Sequence, residues 1–316
     1  MKIIVTTHPF GEKNNKPLQL LQDFGVHVNE IKRKYTPEEH QEILKNIQPD
    51  IIIAGTETYD LKTLDLCPSL KMISRVGAGL DSVDLKECKK RSIVVTYTPN
   101  AVSNAVAELT IAQMLNALRN ITYVHKTWNR YVGRDLEECI VGIFGCGRIG
   151  TKVIDKLQSL KPKKIFVNDI DKIKLQNLTN CEPATKYRIL TNADIITFHI
   201  PLVEPSLNPT YNNHNFIKYK DLQLLKRNAI IINTSRGGII NEKDLYKWLI
   251  KNKQAKAVLD TFEKEPYHGD FFQLDNVFLT PHLGSCTQKS RYNMETGAVK
   301  EVLHFINKKP FNNRVI

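Results

Sequence analysis

The 316-residue chain is predicted to be an α/β protein whose parallel β-sheets are covered by helices on both faces. Short apolar runs alternate with helix-like segments along most of the chain, a pattern typical of parallel strands joined by crossover helices. Runs such as 50–54 and 229–233 are almost continuously apolar, as expected of strands buried on both faces. Another such run, 140–144, leads directly into a glycine-rich turn and a helix-like segment.

Composition indicates a globular protein and narrows the classes of partner. Hydrophobic residues make up 41% and charged residues 25% of the chain, which is long enough for two domains. The net charge is +12, but the lysines are spread along the chain without a basic helix or a basic run interleaved with aromatics, so nucleic acid is not an expected partner. No apolar run approaches the roughly 18 residues of a membrane span, and the six cysteines form no C-x-x-C pair. We expect a cytoplasmic protein with reduced thiols and without a membrane, nucleic-acid or metal partner.

The first 98 residues are predicted to form strand–helix units of one parallel sheet. The helix over Pro37–Ile47 has proline at its start, where proline is favoured, and the helix over Pro17–Phe24 ends before glycine. A third helix is predicted over Asp84–Arg91. Predicted strands cover Lys2–Thr6, Val26–Glu30, Asp50–Ala54, Lys71–Arg75 and Ile93–Thr96. The small residues of the segment VGAG follow the fourth strand, at the sheet edge where ligands bind, and their backbone N–H groups can hold a carboxylate.

A second set of strands and helices follows a break at Thr98-Pro99-Asn100, which marks the first crossing between domains. A long helix is predicted from about Val102 to Lys126, and then an irregular polar connection to Glu138. Strands are predicted over Ile140–Phe144, Lys164–Val167, Asp194–His199, Ala229–Asn233, Ala255–Leu259 and Val277–Leu279. Helices are predicted over Thr151–Leu160, Lys172–Leu178, Lys220–Leu225 and Asn241–Lys251, with a closing helix of roughly 20 residues from Ser285. A Pro/Asn-rich surface loop is predicted over 203–215.

The turn after the strand at 140–144 has the pattern of a dinucleotide-binding site. Gly145, Gly147 and Gly150 have G-x-G-x-x-G spacing, which permits a tight turn, close approach of a pyrophosphate and packing of helix on strand. With Arg148 and Ile149, they place backbone N–H groups at a helix start, where the dipole favours an anion. Asp169 ends the next strand 19 positions after Gly150, close to the spacing of an acid that binds the adenosine ribose. A carboxylate there repels a 2′-phosphate, so the expected cofactor is NAD rather than NADP.

Pro201 and Thr234 follow two strand ends in the second part of the chain and are candidate cofactor-binding residues. Polar residues follow the ends of successive strands there: Arg236, Asp260 with Glu265, and His282. Because the carboxyl ends of parallel strands face one cofactor crevice, these residues are expected to meet beside the nicotinamide. Arginine can bind a 2-keto carboxylate through its fork of donors, and histidine can deliver the proton that accompanies hydride transfer. A carboxylate beside the histidine favours its protonated form. Taken singly, the three also fit a surface charge (Arg236), a loop residue (Glu265) and a core histidine (His282).

Six segments distributed along the chain resemble those of the D-isomer-specific 2-hydroxyacid dehydrogenases. They are TPNAVSNAVAEL, GIFGCGRIG, FHIPL, INTSRGGIINEKDL, LDTFEKEP and TPHLGSCT. The resemblance implies that Arg236, Glu265 and His282 are catalytic and that Asp260 holds the nicotinamide side. It also implies that Ala78 and Gly79, with Arg236, bind the substrate carboxylate.

The resemblance further implies how the chain is divided and how it assembles. It implies a discontinuous, flavodoxin-like substrate domain of residues 1–98 plus 285–316, into which a Rossmann NAD-binding domain of residues 99–284 is inserted. It also implies a homodimer paired through the cofactor domain, with the long helix and the segment around Trp128 embracing the partner.

The expected function is therefore an NAD-dependent oxidoreductase that interconverts a D-2-hydroxy acid and its 2-keto acid. One alternative narrows the substrate to 3-phosphoglycerate. Against it, the segment Ile53–Thr58 lacks the arginines with which some phosphoglycerate dehydrogenases hold phosphate; Arg75 and nearby lysines are the remaining candidates for that task. An alternative from another class is an NAD(H)-sensing binding protein without turnover.

Overall fold

The computed structural model describes residues 1–26, 28–30, 33–203 and 212–316. His27, within the second predicted strand, and residues 204–211 of the predicted surface loop lie outside the described residues. The chain divides into two compact units. Unit 1 comprises Met1–Val102 with Cys286–Ile316, and unit 2 comprises Ser103–Ser285.

Unit 1 is built on a sheet of five strands in the order β2-β1-β3-β4-β5, in which every neighbouring pair is parallel. This is a doubly wound, flavodoxin-like order, and it confirms the fold class predicted for this part of the chain. The strands are β1 (Ile3–Val5), β2 (Val28–Glu30), β3 (Ile51–Ala54), β4 (Met72–Arg75) and β5 (Val94–Thr96). All four residues of β3 are buried, as their apolar sequence predicts, and so are all four of β4, which include the polar Ser74 and Arg75.

Four helices connect these strands: α1 (Lys16–Asp23), α2 (Pro37–Ile47), α3 (Leu61–Asp65) and α4 (Leu85–Lys90). The start of α2 is fixed by a capping box, because Thr36 accepts a hydrogen bond from the Glu39 amide while the Glu39 carboxylate accepts one from the Thr36 amide. The short helix α3 was not predicted; Asp60 caps it by accepting a hydrogen bond from the Thr63 amide.

Unit 2 contains a seven-stranded sheet in the order β12-β11-β10-β9-β6-β7-β8, again parallel throughout. Counted from β6, this is the 3-2-1-4-5-6 order of a Rossmann fold with one strand added, which confirms the predicted class. The strands are β6 (Ile140–Phe144), β7 (Lys164–Asn168), β8 (Glu182–Pro183), β9 (Ile195–Phe198), β10 (Ile230–Asn233), β11 (Lys256–Leu259) and β12 (Val277–Leu279). The short edge strand β8 was not predicted.

Several helices of unit 2 differ from the prediction. The long helix predicted over 102–126 is two helices, because Asn120 between them adopts a left-handed backbone with φ of 56°. The helix after the glycine turn begins at Arg148 and not at Thr151, and 186–192 is helical where a connection was predicted. The helices are α5 (Ser103–Arg119), α6 (Ile121–Thr127), α7 (Arg148–Ser159), α8 (Lys172–Gln176), α9 (Lys186–Asn192), α10 (Tyr219–Leu222) and α11 (Glu242–Lys251).

The chain closes with α12 (Gln288–Ile306), which returns to unit 1 and packs against α1, β3 and β4. Its apolar residues, including Met294 and Val299, are buried. In the described part of the chain, no helix combines the length and apolarity needed to cross a membrane. Among the same residues, no group of three or more His, Cys, Asp or Glu side chains is arranged to hold a metal ion.

Candidate active site

The glycine turn follows β6 and leads into α7. Gly145 has φ of 95°, and a Cβ atom there would lie 2.4 Å from the His199 carbonyl oxygen, so the turn and its close approach to β9 both require glycine. Gly150 lies in the first turn of α7, where a Cβ would be 1.9 Å from the Gly145 carbonyl oxygen. At Gly147 a Cβ would meet nothing within 4 Å. The helix start, with Arg148 and Ile149, therefore opens onto free space beside its backbone N–H groups, as a bound pyrophosphate requires.

Asp169 lies directly after β7 and is connected to this turn. One of its carboxylate oxygens, Oδ2, accepts a hydrogen bond from the Cys146 amide at 2.8 Å, and Oδ1 accepts one from the Asp171 amide at 2.8 Å. Nζ of Lys174 lies 3.7 Å from Oδ1. The carboxylate is thus fixed at the edge of the glycine turn, where the acid that binds an adenosine ribose is expected. Cys146 fills a small buried position, and burial raises the pKa of its thiol to about 12.

His282 and Glu265 form a hydrogen-bonded pair at the carboxyl edge of the same sheet. Nδ1 of His282 is 2.8 Å from Oε2 of Glu265, and the two side chains are 42% and 36% exposed. The second oxygen, Oε1, accepts a hydrogen bond from the Phe262 amide at 3.0 Å. Partial burial raises the pKa of Glu265. Three neighbours lower it by a larger amount: His282 through its hydrogen bond and charge, Phe262 through its amide, and Arg236 through its charge. The net pKa of Glu265 is therefore lower than usual, so the carboxylate is ionised at neutral pH.

A buried carboxylate holds the backbone around His282 in place. Asp260 has no exposed surface, and its Oδ1 accepts hydrogen bonds from Thr280 Oγ1 at 2.5 Å and from the Leu283 amide at 2.7 Å. Oδ2 accepts one from the Gly284 amide at 2.9 Å. Between these contacts, the His282 amide donates to the Asp260 carbonyl oxygen at 2.9 Å. His282 itself adopts φ of 53°, a left-handed backbone that is uncommon for residues other than glycine, so this turn needs such support.

This network was not predicted. We expected Asp260 at the nicotinamide side of the cofactor, which stays a prediction, but the described contacts show it as the residue that orders the 280–284 turn. Gln113 of α5 extends the network, because its Nε2 donates to Thr280 Oγ1 at 2.9 Å. The sequence carries only a weak indication of the network: a threonine two positions before the histidine and an acid at the end of the neighbouring strand.

The loop that carries Arg236 follows β10 and is ordered by Asn233. The Asn233 side chain accepts hydrogen bonds from the Ser235 amide and hydroxyl at 3.1 and 2.7 Å, and it donates to the Arg236 carbonyl oxygen at 2.8 Å. Nη1 of Arg236 donates to the Ser235 carbonyl oxygen at 2.7 Å. Thr234 is buried, with its hydroxyl 3.0 Å from that of Thr110 on α5.

Gly237 brings the Arg236 loop against the loop that carries Glu265. A Cβ at Gly237 would lie 2.0 Å from the Phe262 carbonyl carbon and 2.2 Å from the Glu263 amide nitrogen. Only glycine allows this approach, so the first glycine of the segment TSRGG was a usable indication of contact between the loops. Unit 2 therefore brings Arg236, Glu265 and His282 to one edge of its sheet.

Three further predicted residues follow strand ends, one in unit 2 and two in unit 1. Pro201 is exposed in the segment after β9, and its carbonyl oxygen accepts a hydrogen bond from Asn213 Nδ2 at 2.7 Å. In unit 1, Ala78 and Gly79 follow β4 and are partly exposed. The preceding residue, Gly77, is held by Thr98, whose hydroxyl accepts a hydrogen bond from the Gly77 amide at 2.8 Å. Within the described part of unit 1, no residue accepts a hydrogen bond from the amides of Ala78 or Gly79.

Comparisons with known proteins show the family to which the chain is similar. Residues 111–284 match the family model for the NAD-binding domain of D-isomer-specific 2-hydroxyacid dehydrogenases. A glyoxylate reductase of Thermococcus litoralis is 33% identical over 270 residues, covering 81% of this chain and 80% of that protein. A D-3-phosphoglycerate dehydrogenase of Methanocaldococcus jannaschii is 32% identical over 95% of this chain, which spans 57% of that longer protein.

The fold of the whole chain is also known from solved structures. The NAD⁺-bound structure of 3-phosphoglycerate dehydrogenase from Entamoeba histolytica has a TM-score of 0.83 and 26% identity, covering 100% of this chain and 98% of that one. The family match covers more than half of the sequence, and the Thermococcus relative matches four-fifths of it. The chain belongs to the D-isomer-specific 2-hydroxyacid dehydrogenase family, whose cofactor is NAD.

Proposed function

We propose that Arg236, His282 and Glu265 are the catalytic residues with which this NAD-dependent oxidoreductase interconverts a D-2-hydroxy acid and its 2-keto acid. The observation that carries the proposal is the 2.8 Å contact between His282 Nδ1 and the ionised Glu265, at the sheet edge that also holds Arg236. A histidine held by a carboxylate in this way is suited to donate a proton to a substrate oxygen and to accept it in the reverse direction.

The cofactor fits the residues of unit 2. Backbone N–H groups at the start of α7, with the open space at Gly147, would hold the pyrophosphate, and Asp169 would bind the adenosine ribose. Thr234, Pro201 and Asp260 follow strand ends on the same edge and would border the nicotinamide side. When bound, the cofactor supplies or accepts the hydride at the substrate's second carbon.

The chain's own side chains handle charge and the proton. In the reductive direction, the Arg236 guanidinium binds the carboxylate and the keto oxygen of the substrate through two donors, which polarises the carbonyl. His282 donates a proton to that oxygen as it becomes a hydroxyl. The Glu265 carboxylate fixes the ring through Nδ1 and stabilises the imidazolium before transfer. In unit 1, the amides of Ala78 and Gly79 would hold the substrate carboxylate.

The direct test is turnover with a panel of 2-keto acids, followed by NADH absorbance. We expect oxidation of NADH with at least one of glyoxylate, hydroxypyruvate, pyruvate, phosphohydroxypyruvate or a branched analogue. Binding of NADH without oxidation by any of them would instead favour the NAD(H)-sensing alternative. Preference for phosphohydroxypyruvate would identify the 3-phosphoglycerate alternative, which the burial of Arg75, at 7% exposed, does not favour.

We predict that Asp169→Ala relaxes the preference for NADH over NADPH. The substitution removes the carboxylate that would repel a 2′-phosphate and leaves Lys174, whose Nζ lies 3.7 Å from it, to attract that phosphate. The ratio of kcat/KM for NADPH to that for NADH should rise by about tenfold. Asp155→Ala, an exposed acid on α7, is the matched control. An unchanged ratio in Asp169→Ala would place cofactor selection elsewhere.

We also propose that the protein is a homodimer paired through the segment between α6 and β6. Trp128 is 94% and Val132 95% exposed there, which is unusual for large apolar side chains and typical of an interface. Trp128→Glu should shift the mass measured by light scattering from that of a dimer to that of a monomer. Tyr187→Glu, at an exposed aromatic on α9, should leave it unchanged. A monomeric wild type would contradict the proposal.

A cytoplasmic location, suggested by the six free cysteines, stays a prediction.

A further inference from the structure

A partly exposed carboxylate lies at the carboxyl edge of the unit 1 sheet and has no role in the reaction described so far. Glu57 follows β3, and its Oε2 accepts hydrogen bonds from the Gly55 amide at 2.8 Å and from Thr6 Oγ1 at 3.3 Å. A Cβ at Gly55 would lie 2.7 Å from both carboxylate oxygens. The Glu57 side chain is therefore folded back over Gly55 and held at the sheet edge by residues that follow β1 and β3.

The support for this carboxylate is itself buried. The Thr6 hydroxyl is 2.7 Å from the hydroxyl of Tyr59, which has no exposed surface. Glu57 is consequently not a side chain that moves freely in solvent, because its position is set by a buried hydrogen-bonded chain. Such a fixed group can discriminate between ligands by charge, whereas a mobile surface carboxylate is screened.

A buried cation, Arg75, packs against the loop that precedes Ala78 and Gly79. Arg75, at the end of β4, is 7% exposed, and its Nη1 donates to the Val76 carbonyl oxygen at 2.5 Å. A Cβ at Gly77 would lie 2.8 Å from the same nitrogen. Burial raises the pKa of Glu57, and the charge of Arg75 opposes that shift only in part, so the net pKa lies above its usual value. The Arg75 guanidinium is buried beside the loop, whereas Glu57 is partly exposed at the sheet edge.

We propose that Glu57 is a specificity-determining residue that excludes phosphorylated substrates. This rests on the proposed function, in which the amides of Ala78 and Gly79 hold the substrate carboxylate at this edge. The substrate's side chain then extends toward neighbouring strand ends, where the Glu57 carboxylate repels a phosphate dianion. It admits hydrogen, as in glyoxylate, or a hydroxymethyl group, as in hydroxypyruvate, whose hydroxyl can donate to it. The substrate class is a small, unphosphorylated 2-keto acid.

The test compares wild type with Glu57→Gln, which keeps the size and the hydrogen-bond acceptor but removes the charge. We expect wild-type kcat/KM to favour hydroxypyruvate over 3-phosphohydroxypyruvate by at least about tenfold. In Glu57→Gln, the ratio of phosphorylated to unphosphorylated kcat/KM should rise by about tenfold, while kcat/KM for glyoxylate changes less than about threefold. Glu42→Gln, at an exposed acid on α2, is the matched control and should leave the ratio unchanged.

A binding measurement separates failure of this proposal from failure of the proposed function. Calorimetric titration with 3-phosphoglycerate in the presence of NADH should give about tenfold tighter binding to Glu57→Gln than to wild type, whether or not turnover occurs. If wild type binds but turns over none of the 2-keto acids, the proposed function fails and the difference between the variants remains. If both the kcat/KM ratio and the Kd agree within about twofold between wild type and Glu57→Gln, the proposal for Glu57 is overturned.

Discussion

Replacement of His282 by alanine is expected to lower turnover by roughly 10²–10⁴-fold while leaving NADH affinity nearly intact. The reason is that the imidazole supplies the proton to the substrate oxygen and makes no contribution to holding the dinucleotide in the proposed mechanism. The contacts that order the turn are made by its backbone, whose amide donates to the Asp260 carbonyl oxygen at 2.9 Å and which alanine retains. Initial rates of NADH oxidation and fluorescence titration of NADH measure the two quantities separately.

The same loop offers a matched control for this substitution. His268 is an exposed histidine three residues after Glu265, outside the proposed catalytic group, and His268→Ala should change turnover by less than about twofold. The turnover of Glu265→Gln should fall between those of His282→Ala and His268→Ala, because the glutamine amide can still orient the His282 ring but no longer stabilises its positive charge. Loss of NADH binding in His282→Ala in proportion to turnover would show that the histidine has a structural task.

The second large effect is expected at Asp260, the buried carboxylate that orders the turn around His282. In Asp260→Asn, the side-chain amide replaces one acceptor oxygen with a donor that faces an N–H group of Leu283 or Gly284. Buried hydrogen bonds to a charged group cost about 1–3 kcal/mol each when they are lost. We expect a loss of about 2–4 kcal/mol in the free energy of unfolding, a fall in Tm of about 5–15 °C, and kcat reduced by about 10–100-fold.

Two further variants separate the effect of Asp260→Asn on stability from its effect on activity. Asp275→Asn, an exposed acid before β12, should leave both Tm and kcat unchanged and controls for the change in charge. Thr280→Val removes the hydrogen bonds of the Thr280 hydroxyl with Asp260 and Gln113 but leaves the amide contacts of Asp260. It should therefore lower Tm by a smaller amount, with kcat reduced in the same direction. Wild-type Tm and kcat in Asp260→Asn would contradict the assigned role of Asp260 in ordering the turn.

Most of the fold could be predicted because strand positions follow from local composition. The buried strands are short Ile- and Val-rich runs, and the last of them, Val277–Leu279, has the predicted bounds. Helix boundaries that do not follow from local composition were harder to predict from the sequence. The break of the long helix depends on the left-handed backbone of Asn120, a residue that helices also tolerate. The helix Lys186–Asn192 buries only Ile189 and Leu190 and therefore has almost no amphipathic pattern to detect.

The site divides in the same way between local and tertiary information. Glycine spacing, the acid after β7 and polar residues at strand ends are visible in the sequence, because parallel strands deliver their carboxyl ends to one edge. The hydrogen bonds of Asp260 and the fixed position of Glu57 cannot be seen in the sequence, since each depends on partners distant in sequence, such as Leu283 and Thr6. Gly237 is an intermediate case. Its place beside Arg236 in the sequence indicates a close approach of the backbone, but only the structure shows that the approach is to Phe262.

The most direct test of the catalytic assignment is the structure of the complex with NADH and oxamate, an unreactive analogue of a small 2-keto acid. We predict that His282 Nε2 and the Arg236 guanidinium lie within about 3 Å of the oxamate carboxylate and of its amide carbonyl oxygen, which takes the place of the keto oxygen. Glu265 should still be hydrogen-bonded to His282 Nδ1. A complex in which oxamate lies beside the nicotinamide, with His282 and Arg236 more than about 6 Å from it, would contradict the assignment.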